Sequence, residues 1–232
     1  MSQTESARPS AITVRRRGTD ARADREGMAD GMVRAFTEVT PATWLVVIDM
    51  QNVFRAPGSP WATPRFGDLI APTRRLCDAY APNVLFTRYL SPTRPVGAWK
   101  PYFEDWPFAL QPAEAPMWDL VAELADLPAR SAGLDGAGGT LDVECFSKWG
   151  AALAGLVGQE GRLVLAGVSA DCCVIATALA AANAGVETLV VKEATTGVDD
   201  HTTEQALSIM SLFGPLLRIV SLEEALEAAP GR

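Results

Sequence analysis

Three reactive side chains in this sequence follow short apolar runs of the kind that form buried strands. Asp49 ends the first run, Lys148 follows the third, and Cys173 follows the fourth. A carboxylate can accept a proton, an ammonium can stabilise a neighbouring negative charge, and a thiolate can attack a carbonyl carbon. Because ligands bind at the carboxyl ends of parallel strands, this placement predicts nucleophilic catalysis by a cysteine.

The local sequence favours Cys173 as the nucleophile. A sharp turn from strand to helix is predicted near Asp171, and unpaired N–H groups at a helix start lower a thiol pKa and bind an oxyanion. Ser169 is a poorer candidate, because Gly-Val-Ser-Ala-Asp lacks the last glycine of a G-x-S-x-G elbow. Cys77 and Cys145 are expected in the core, since cysteine is among the most buried residue types.

Each candidate also has a purely structural interpretation. Asp49 could cap a loop, Lys148 could be a solvated lysine in the first turn of a helix, and Cys173 could be a core residue. The sole histidine, His201, is predicted to open a helix, which leaves Asp49 as the candidate base for the thiol. With one histidine and no CxxC spacing, we predict no metal site and no cofactor.

Short β-branched runs alternate with helical segments from residue 43 onward, which is typical of a parallel sheet built from βαβ units. The runs are continuously apolar, as in strands buried on both faces. The predicted strands are Trp44–Asp49, Asn83–Tyr89, Thr140–Phe146, Arg162–Val168, Glu187–Glu193 and Leu216–Ser221. The predicted helices cover residues 68–81, 117–126, 149–159, 171–184, 201–213 and 221–228. The predicted fold class is α/β, doubly wound, with helices on both faces.

Composition excludes several classes of protein. The 232 residues carry a net charge of −8, which argues against nucleic acid or an anionic membrane as the partner and favours a small-molecule substrate. No apolar stretch is long enough to span a bilayer. Four cysteines, two of them adjacent, do not form a disulfide framework, so we expect a reducing, cytoplasmic setting.

The first 38 residues differ in composition from the rest. They are rich in arginine and have few periodic apolar residues, so we predict a flexible extension at 1–38 and a folded domain at 39–232. A subunit-contacting arm is the alternative interpretation of the extension.

Aromatic residues concentrate in the connection after the second predicted strand, and long connections of this kind are often functional. Together with aromatics near two other strand ends, they predict a substrate pocket. The predicted lining residues are Phe54, Trp61, Trp99, Phe103, Trp106 and Trp149. Burial in a subunit interface is the alternative.

The three strand-end residues and the segment 163–194 resemble the isochorismatase-like cysteine hydrolases, including N-carbamoylsarcosine amidase. The resemblance covers roughly residues 42–222 and implies a three-layer α/β/α sandwich around a six-stranded parallel sheet. It implies an Asp49, Lys148 and Cys173 triad that hydrolyses a carboxamide, carbamoyl or ureido group through a thioester. It also implies a homodimer or homotetramer.

The resemblance further implies an oxyanion site at the backbone amides of Ser169 and Cys173, with a cis bond between Val168 and Ser169. The commoner pattern of the family has its lysine several residues earlier, near 142–144, where this chain has none, so the role passes to Lys148. Threonine is common in the family at the position of Ala170.

Comparison among subfamilies narrows the implied chemistry. The loop at 90–97 has no histidine, unlike that of the metal-binding nicotinamidases, and Cys173 separates the chain from true isochorismatases, which lack the cysteine. These features favour metal-independent cleavage of a C–N bond. The displaced lysine and the adjacent Cys172 and Cys173 favour an alternative: a catalytically silent member with a redox-sensing or partner-binding role.

Overall fold

The computed structural model describes residues 42–132 and 139–230. The predicted extension at 1–38 lies outside the described residues. In the described part, six parallel strands form one sheet in the order β3-β2-β1-β4-β5-β6. They are β1 Thr43–Ile48, β2 Val84–Tyr89, β3 Thr140–Val143, β4 Arg162–Gly167, β5 Glu187–Thr195 and β6 Leu217–Val220. The predicted six-stranded parallel sheet is confirmed.

Helices cover both faces of this sheet. Their bounds are α1 Asn52–Arg55, α2 Ile70–Tyr80, α3 Trp99–Asp105, α4 Ala151–Val157, α5 Ile175–Asn183, α6 Asp200–Ser211 and α7 Leu222–Glu227. One core cluster packs β1 residues Leu45 and Val47 against α2 and α7. The other packs Val46 and Ile48 against α4, α5 and α6. Because side chains alternate along a strand, β1 serves both cores, and the molecule is a three-layer α/β/α sandwich.

The site-forming edge lies where the strand order reverses. β1 pairs with β2 on one side and with β4 on the other, and its register with β4 runs from Thr43↔Arg162 to Ile48↔Gly167. In open α/β sheets the crevice for a ligand forms beyond the carboxyl ends of the strands at such a reversal. The residues that follow β1 and β4 are therefore brought to one place.

Gly167 allows β4 to approach β1 closely at this edge. Its φ is +111°, and a Cβ built on it would lie 2.1 Å from the carbonyl oxygen of Ile48. A larger side chain would meet backbone that cannot move without breaking the strand pairing. The sheet thus needs a glycine at the end of β4, just before the turn that contains Cys173.

The prediction of a helix at 117–126 is wrong. This segment forms a 3₁₀ turn at Pro116–Trp118 and further turns in which the amides of Leu124 and Leu127 donate to the carbonyls three residues earlier. Buried residues therefore recur every third position, at Trp118, Val121, Leu124 and Leu127, which resembles helical periodicity in the sequence. The segment pairs instead with the stretch after β1, where the amide of Asn52 donates to the carbonyl of Asp119.

The third strand is shorter than predicted, ending at Val143 rather than Phe146. β3 is an edge strand, and its carbonyl at Val143 accepts a bond from the amide of Leu90. The chain then leaves the sheet as a loop. Cys145 lies on this loop and is exposed, so its predicted core position is wrong.

None of the helices among the described residues is long and apolar enough to cross a membrane.

We expect Gly167→Ala to lower the free energy of unfolding by roughly 2–4 kcal/mol, because overpacking and positive-φ strain act together. The matched control is Gly155→Ala in α4, where nothing lies within 4 Å of the added Cβ. That change should raise the stability by up to about 1 kcal/mol. Urea unfolding measures both, and equal effects of the two substitutions would contradict the close-approach argument.

Candidate active site

Asp49 is held rigidly at the end of β1. It is fully buried and has a φ of +50°, which is uncommon for a residue with a side chain and occurs mostly where the surroundings impose it. Its amide donates to Thr87 Oγ1 at 3.2 Å, and the Thr87 hydroxyl donates to Asp49 Oδ1 at 2.7 Å. Oδ1 of the carboxylate is thus fixed by β2, which leaves Oδ2 for a second partner.

Lys148 is brought to that second oxygen. Its Nζ lies 2.8 Å from Asp49 Oδ2, and both side chains are 0% exposed. The ammonium also donates to the carbonyl of Cys145 at 3.1 Å and lies 5.3 Å from the centroid of the Tyr89 ring. Lys148 is therefore a buried partner of Asp49 rather than a solvated lysine.

The protonation of Lys148 depends on its neighbours. Burial by itself would lower the pKa of the Lys148 ammonium, but the carboxylate of Asp49, together with the sulfur of Cys173, raises it more, so the net pKa lies above its ordinary value. The ammonium of Lys148 therefore keeps its proton at neutral pH.

Cys173 lies where the chain turns from β4 into α5. The turn, Ala170–Val174, is π-helical: the amides of Cys172 and Val174 both donate to the carbonyl of Ser169, at 3.1 and 3.0 Å. The peptide bond between Val168 and Ser169 is cis. Both residues are buried, and Ser169 lines the cavity described below.

A threonine in α5 connects this turn to the lysine loop. Thr177 Oγ1 donates to the carbonyl of Cys173 at 2.7 Å and accepts a bond from the amide of Lys148 at 2.8 Å. One hydroxyl therefore fixes the backbone of both residues. Together with the ion pair, this bond brings all three sequence-predicted residues, Asp49, Lys148 and Cys173, to one edge of the sheet.

The thiols of Cys172 and Cys173 influence one another. The pKa of Cys173 is raised well above its ordinary value, first by its hydrogen bond with Cys172, then by burial and by the charge of Asp49, while Lys148 acts in the opposite direction. The same contact lowers the pKa of Cys172. The resting state of Cys173 is therefore the protonated thiol, and it needs a base to become a nucleophile.

A cavity of about 290 Å³ opens above Cys173. Its wall is mostly aromatic and its base carries polar groups and the two thiols. The lining residues are Phe54, Pro60, Trp61, Tyr89, Tyr102, Trp106, Phe146, Ser169, Asp171, Cys172, Cys173 and Val198. Its volume suits a small ligand rather than a polymer.

Three of the six predicted pocket aromatics, Phe54, Trp61 and Trp106, line this cavity, whereas the other three do not. Trp99 packs behind the wall, with its ring centroid 5.1 Å from that of Phe146. Phe103 is in the core, and Trp149 packs against the cluster on the other face of the sheet.

Several lining residues were not predicted, among them Tyr89, Tyr102, Phe146 and Asp171. Tyr89 is the last residue of β2, so the strand-end rule that singled out Asp49 applies to it equally. Tyr102 lies one helical turn after Trp99 in α3. Its position on the cavity side depends on how that helix docks, for which the sequence has no local signal.

Among residues 42–132 and 139–230, no group of three or more His, Cys, Asp or Glu side chains could hold a metal ion. The loop after β2, residues 90–98, carries neither histidine nor carboxylate. A zinc site in that loop therefore has no donor set in this chain.

A family model described as the isochorismatase domain matches residues 43–221, which is most of the chain. The chain belongs to the isochorismatase family. The predicted membership of the isochorismatase-like family is thereby confirmed, and the chain is a hydrolase of the isochorismatase-like type.

Solved structures show the same fold at low sequence identity. A cysteine hydrolase from Pseudomonas syringae pv. phaseolicola 1448A superposes with a TM-score of 0.67 at 15% identity, covering 86% of this chain and 97% of its own. The zinc complex of a pyrazinamidase from Pyrococcus horikoshii gives 0.61 at 24% identity, covering 78% and 99%.

The N-carbamoylsarcosine amidase from Thermoplasma acidophilum superposes with a TM-score of 0.58 at 19% identity, covering 78% of this chain and 96% of its own. A comparison with curated protein sequences gives no significant match. At these identities the solved structures establish the fold.

We expect Lys148→Met to lower the free energy of unfolding by roughly 3–5 kcal/mol, because it leaves the buried carboxylate of Asp49 without a counter-charge. The control is the double substitution Asp49→Asn, Lys148→Met, which removes both charges and should recover more than half of that loss. Urea unfolding at neutral pH measures both. A double variant as unstable as the single one would show that the ion pair does not couple these residues.

Proposed function

We propose that this chain is a metal-independent cysteine hydrolase that cleaves the C–N bond of a small amide, carbamoyl or ureido substrate through a thioester. The observation that carries the proposal is the position of Cys173 at the base of a cavity, beside the buried Asp49–Lys148 pair. A nucleophile next to a base, with the base oriented by a third group, is the usual arrangement for covalent catalysis.

In the proposed first step, Asp49 accepts the thiol proton as Cys173 Sγ forms a bond to the carbonyl carbon. The carbonyl oxygen becomes an oxyanion, which the backbone amides of Ser169 and Cys173 would bind. The proton on Asp49 then passes to the nitrogen, the C–N bond breaks, and the amine or ammonia leaves a thioester on Cys173.

In the second step, water attacks the thioester carbonyl while Asp49 accepts one proton of that water. The C–S bond breaks, the acid product leaves, and the proton returns to the thiolate of Cys173. Lys148 keeps its proton throughout. Its role is to orient Asp49 and to offset the negative charge that alternates between the carboxylate and the sulfur, which its raised pKa supports.

We expect Cys173→Ala to reduce ammonia release from a panel of small amides and ureides by at least about a thousandfold, since it removes the nucleophile. The matched control is Cys145→Ser, a change at an exposed thiol, which should retain wild-type rates. Acid quenching during turnover, followed by mass spectrometry, should find the acyl group on the peptide that contains Cys173. Equal activity in Cys173→Ala and the wild type would refute the proposal.

The raised pKa of Cys173 predicts how alkylation depends on pH. Because the thiol loses its proton only above the ordinary value of 9.0, its rate with iodoacetamide should still rise as the pH passes 9, measured by peptide mass spectrometry in a Cys145→Ser background. A rate for Cys173 that is already constant between pH 7 and 9 would mean a thiolate at rest, and the role of Asp49 as base would be lost.

A second candidate function rests on the contact between the thiols of Cys172 and Cys173. A member without turnover could respond to hydrogen peroxide: a thiol loses its proton, one peroxide oxygen is transferred to the sulfur to give a sulfenic acid, and the other oxygen leaves with that proton as water. This function predicts a dimedone adduct at Cys172 or Cys173 after peroxide and no ammonia from any amide or ureide. Hydrolysis that depends on Cys173 would contradict it.

A further inference from the structure

The wall of the cavity over Cys173 is built from aromatic rings that pack on one another around Trp61. The ring of Trp61 stacks on Phe54 with a centroid distance of 6.1 Å and meets Trp106 edge-on at 6.1 Å. Tyr89 and Tyr102 complete this side, at 5.8 and 6.3 Å from Trp61. A ligand in the cavity therefore faces several π systems at once.

Both tyrosines of the wall remain uncharged near neutral pH. Burial raises the pKa of Tyr89 and of Tyr102, and nearby negative groups raise each further. The wall thus offers ring faces and phenol groups but no phenolate. Its electrostatic character comes from the ring quadrupoles, whose faces are negative.

The charged side chain that lines the cavity is acidic. Asp171 is its one carboxylate, and no arginine or lysine belongs to the lining among the residues that the structure describes. Asp171 is half-buried, accepts a bond from the Ser169 hydroxyl, and has no ion-pair partner within the described ranges. The ammonium of Lys148 lies below, already bound to Asp49 and to the carbonyl of Cys145.

This combination favours a cation and opposes an anion. Several aromatic faces around one ligand group, with a carboxylate beside them, form the arrangement that binds quaternary and primary ammonium groups through cation–π attraction. A carboxylate on the ligand would instead lose its water without gaining a counter-charge. The net charge of −8 adds a long-range attraction for cations.

We infer that the substrate of this enzyme carries a positively charged ammonium group on its acyl portion, held by the aromatic wall and Asp171. This inference rests on the proposed function, because the acyl carbon must sit over Cys173 while the ammonium group lies against the rings. Substrates with a carboxylate in the same place, such as N-carbamoyl amino acids, are excluded by the same charges.

The test compares two amides that differ only in charge. In 4-(trimethylammonio)butanamide a quaternary nitrogen occupies the position of the quaternary carbon in 5,5-dimethylhexanamide, so shape and size are matched. We expect kcat/KM for the cationic amide to be at least about tenfold higher, the scale of a desolvated cation–π contact with a carboxylate nearby. Equal or better hydrolysis of the neutral amide would overturn the inference and leave the proposed function standing.

Asp171→Asn separates charge recognition from positioning of Ser169. Asparagine keeps an oxygen that can accept from the Ser169 hydroxyl, so only the charge is lost. We expect KM for the cationic amide to rise about fivefold or more, with no change for the neutral amide. A role in positioning alone would lower kcat for both amides equally, which would contradict the inference. Asp78→Asn removes the same charge at an exposed site and controls for net charge.

Binding to Cys173→Ala keeps this inference testable without turnover. Calorimetry should give a dissociation constant for the cationic amide that is at least about fivefold lower than for its neutral match. If the wild type hydrolyses neither amide but this preference holds, the proposed function fails and cation recognition stands. If the preference is absent, cation recognition fails whatever the wild type hydrolyses.

Discussion

The buried ion pair between Asp49 and Lys148 is the interaction on which the rest of the site depends. Both side chains are 0% exposed, and a single unpaired charge at such a place costs several kcal/mol. The two residues come from opposite sides of β2, because β1 and β3 are not neighbours in the sheet. The loop after β3 must therefore cross the end of β2, where the Tyr89 ring lies 5.3 Å from the ammonium.

The ion pair also determines what Cys173 can do. Asp49 raises the pKa of the thiol and Lys148 lowers it, with Asp49 the larger of the two, so the two charges act in opposite directions on the sulfur. In the proposed mechanism, proton transfer from Cys173 to Asp49 exchanges a carboxylate and a thiol for a carboxylic acid and a thiolate. The total charge of the buried group is unchanged, which is the least costly kind of proton transfer in a medium of low dielectric constant.

Much of the architecture could be predicted from the sequence, because its signals are local. Continuous apolar runs identified the strands, and the rule that ligands bind at strand ends identified Asp49 and Cys173. No local signal predicts that the side chain of Lys148 points into the protein. Its loop is held by a bond from the Lys148 amide to the hydroxyl of Thr177, which lies 29 residues later in the chain. The segment 117–126 was misassigned for a related reason, since it folds against the stretch after β1 and buries every third residue as a helix would.

The proposed catalytic residues and the aromatic wall of the cavity come from different parts of the chain. The ion pair and the thiol come from strand ends and the turns next to them, whereas most of the wall comes from the connections after β1 and β2, which include Trp61 and Trp106. Aromatic residues such as Trp61 and Trp106 in those connections can be replaced without contact to the buried charges of Asp49 and Lys148. Tyr89, at the end of β2, joins the two parts, because its ring contacts both the Lys148 ammonium and Trp61. Under the proposed mode of recognition, a substitution at Tyr89 would alter both the cavity wall and the environment of the ion pair, whereas one at Trp106 would alter the wall alone.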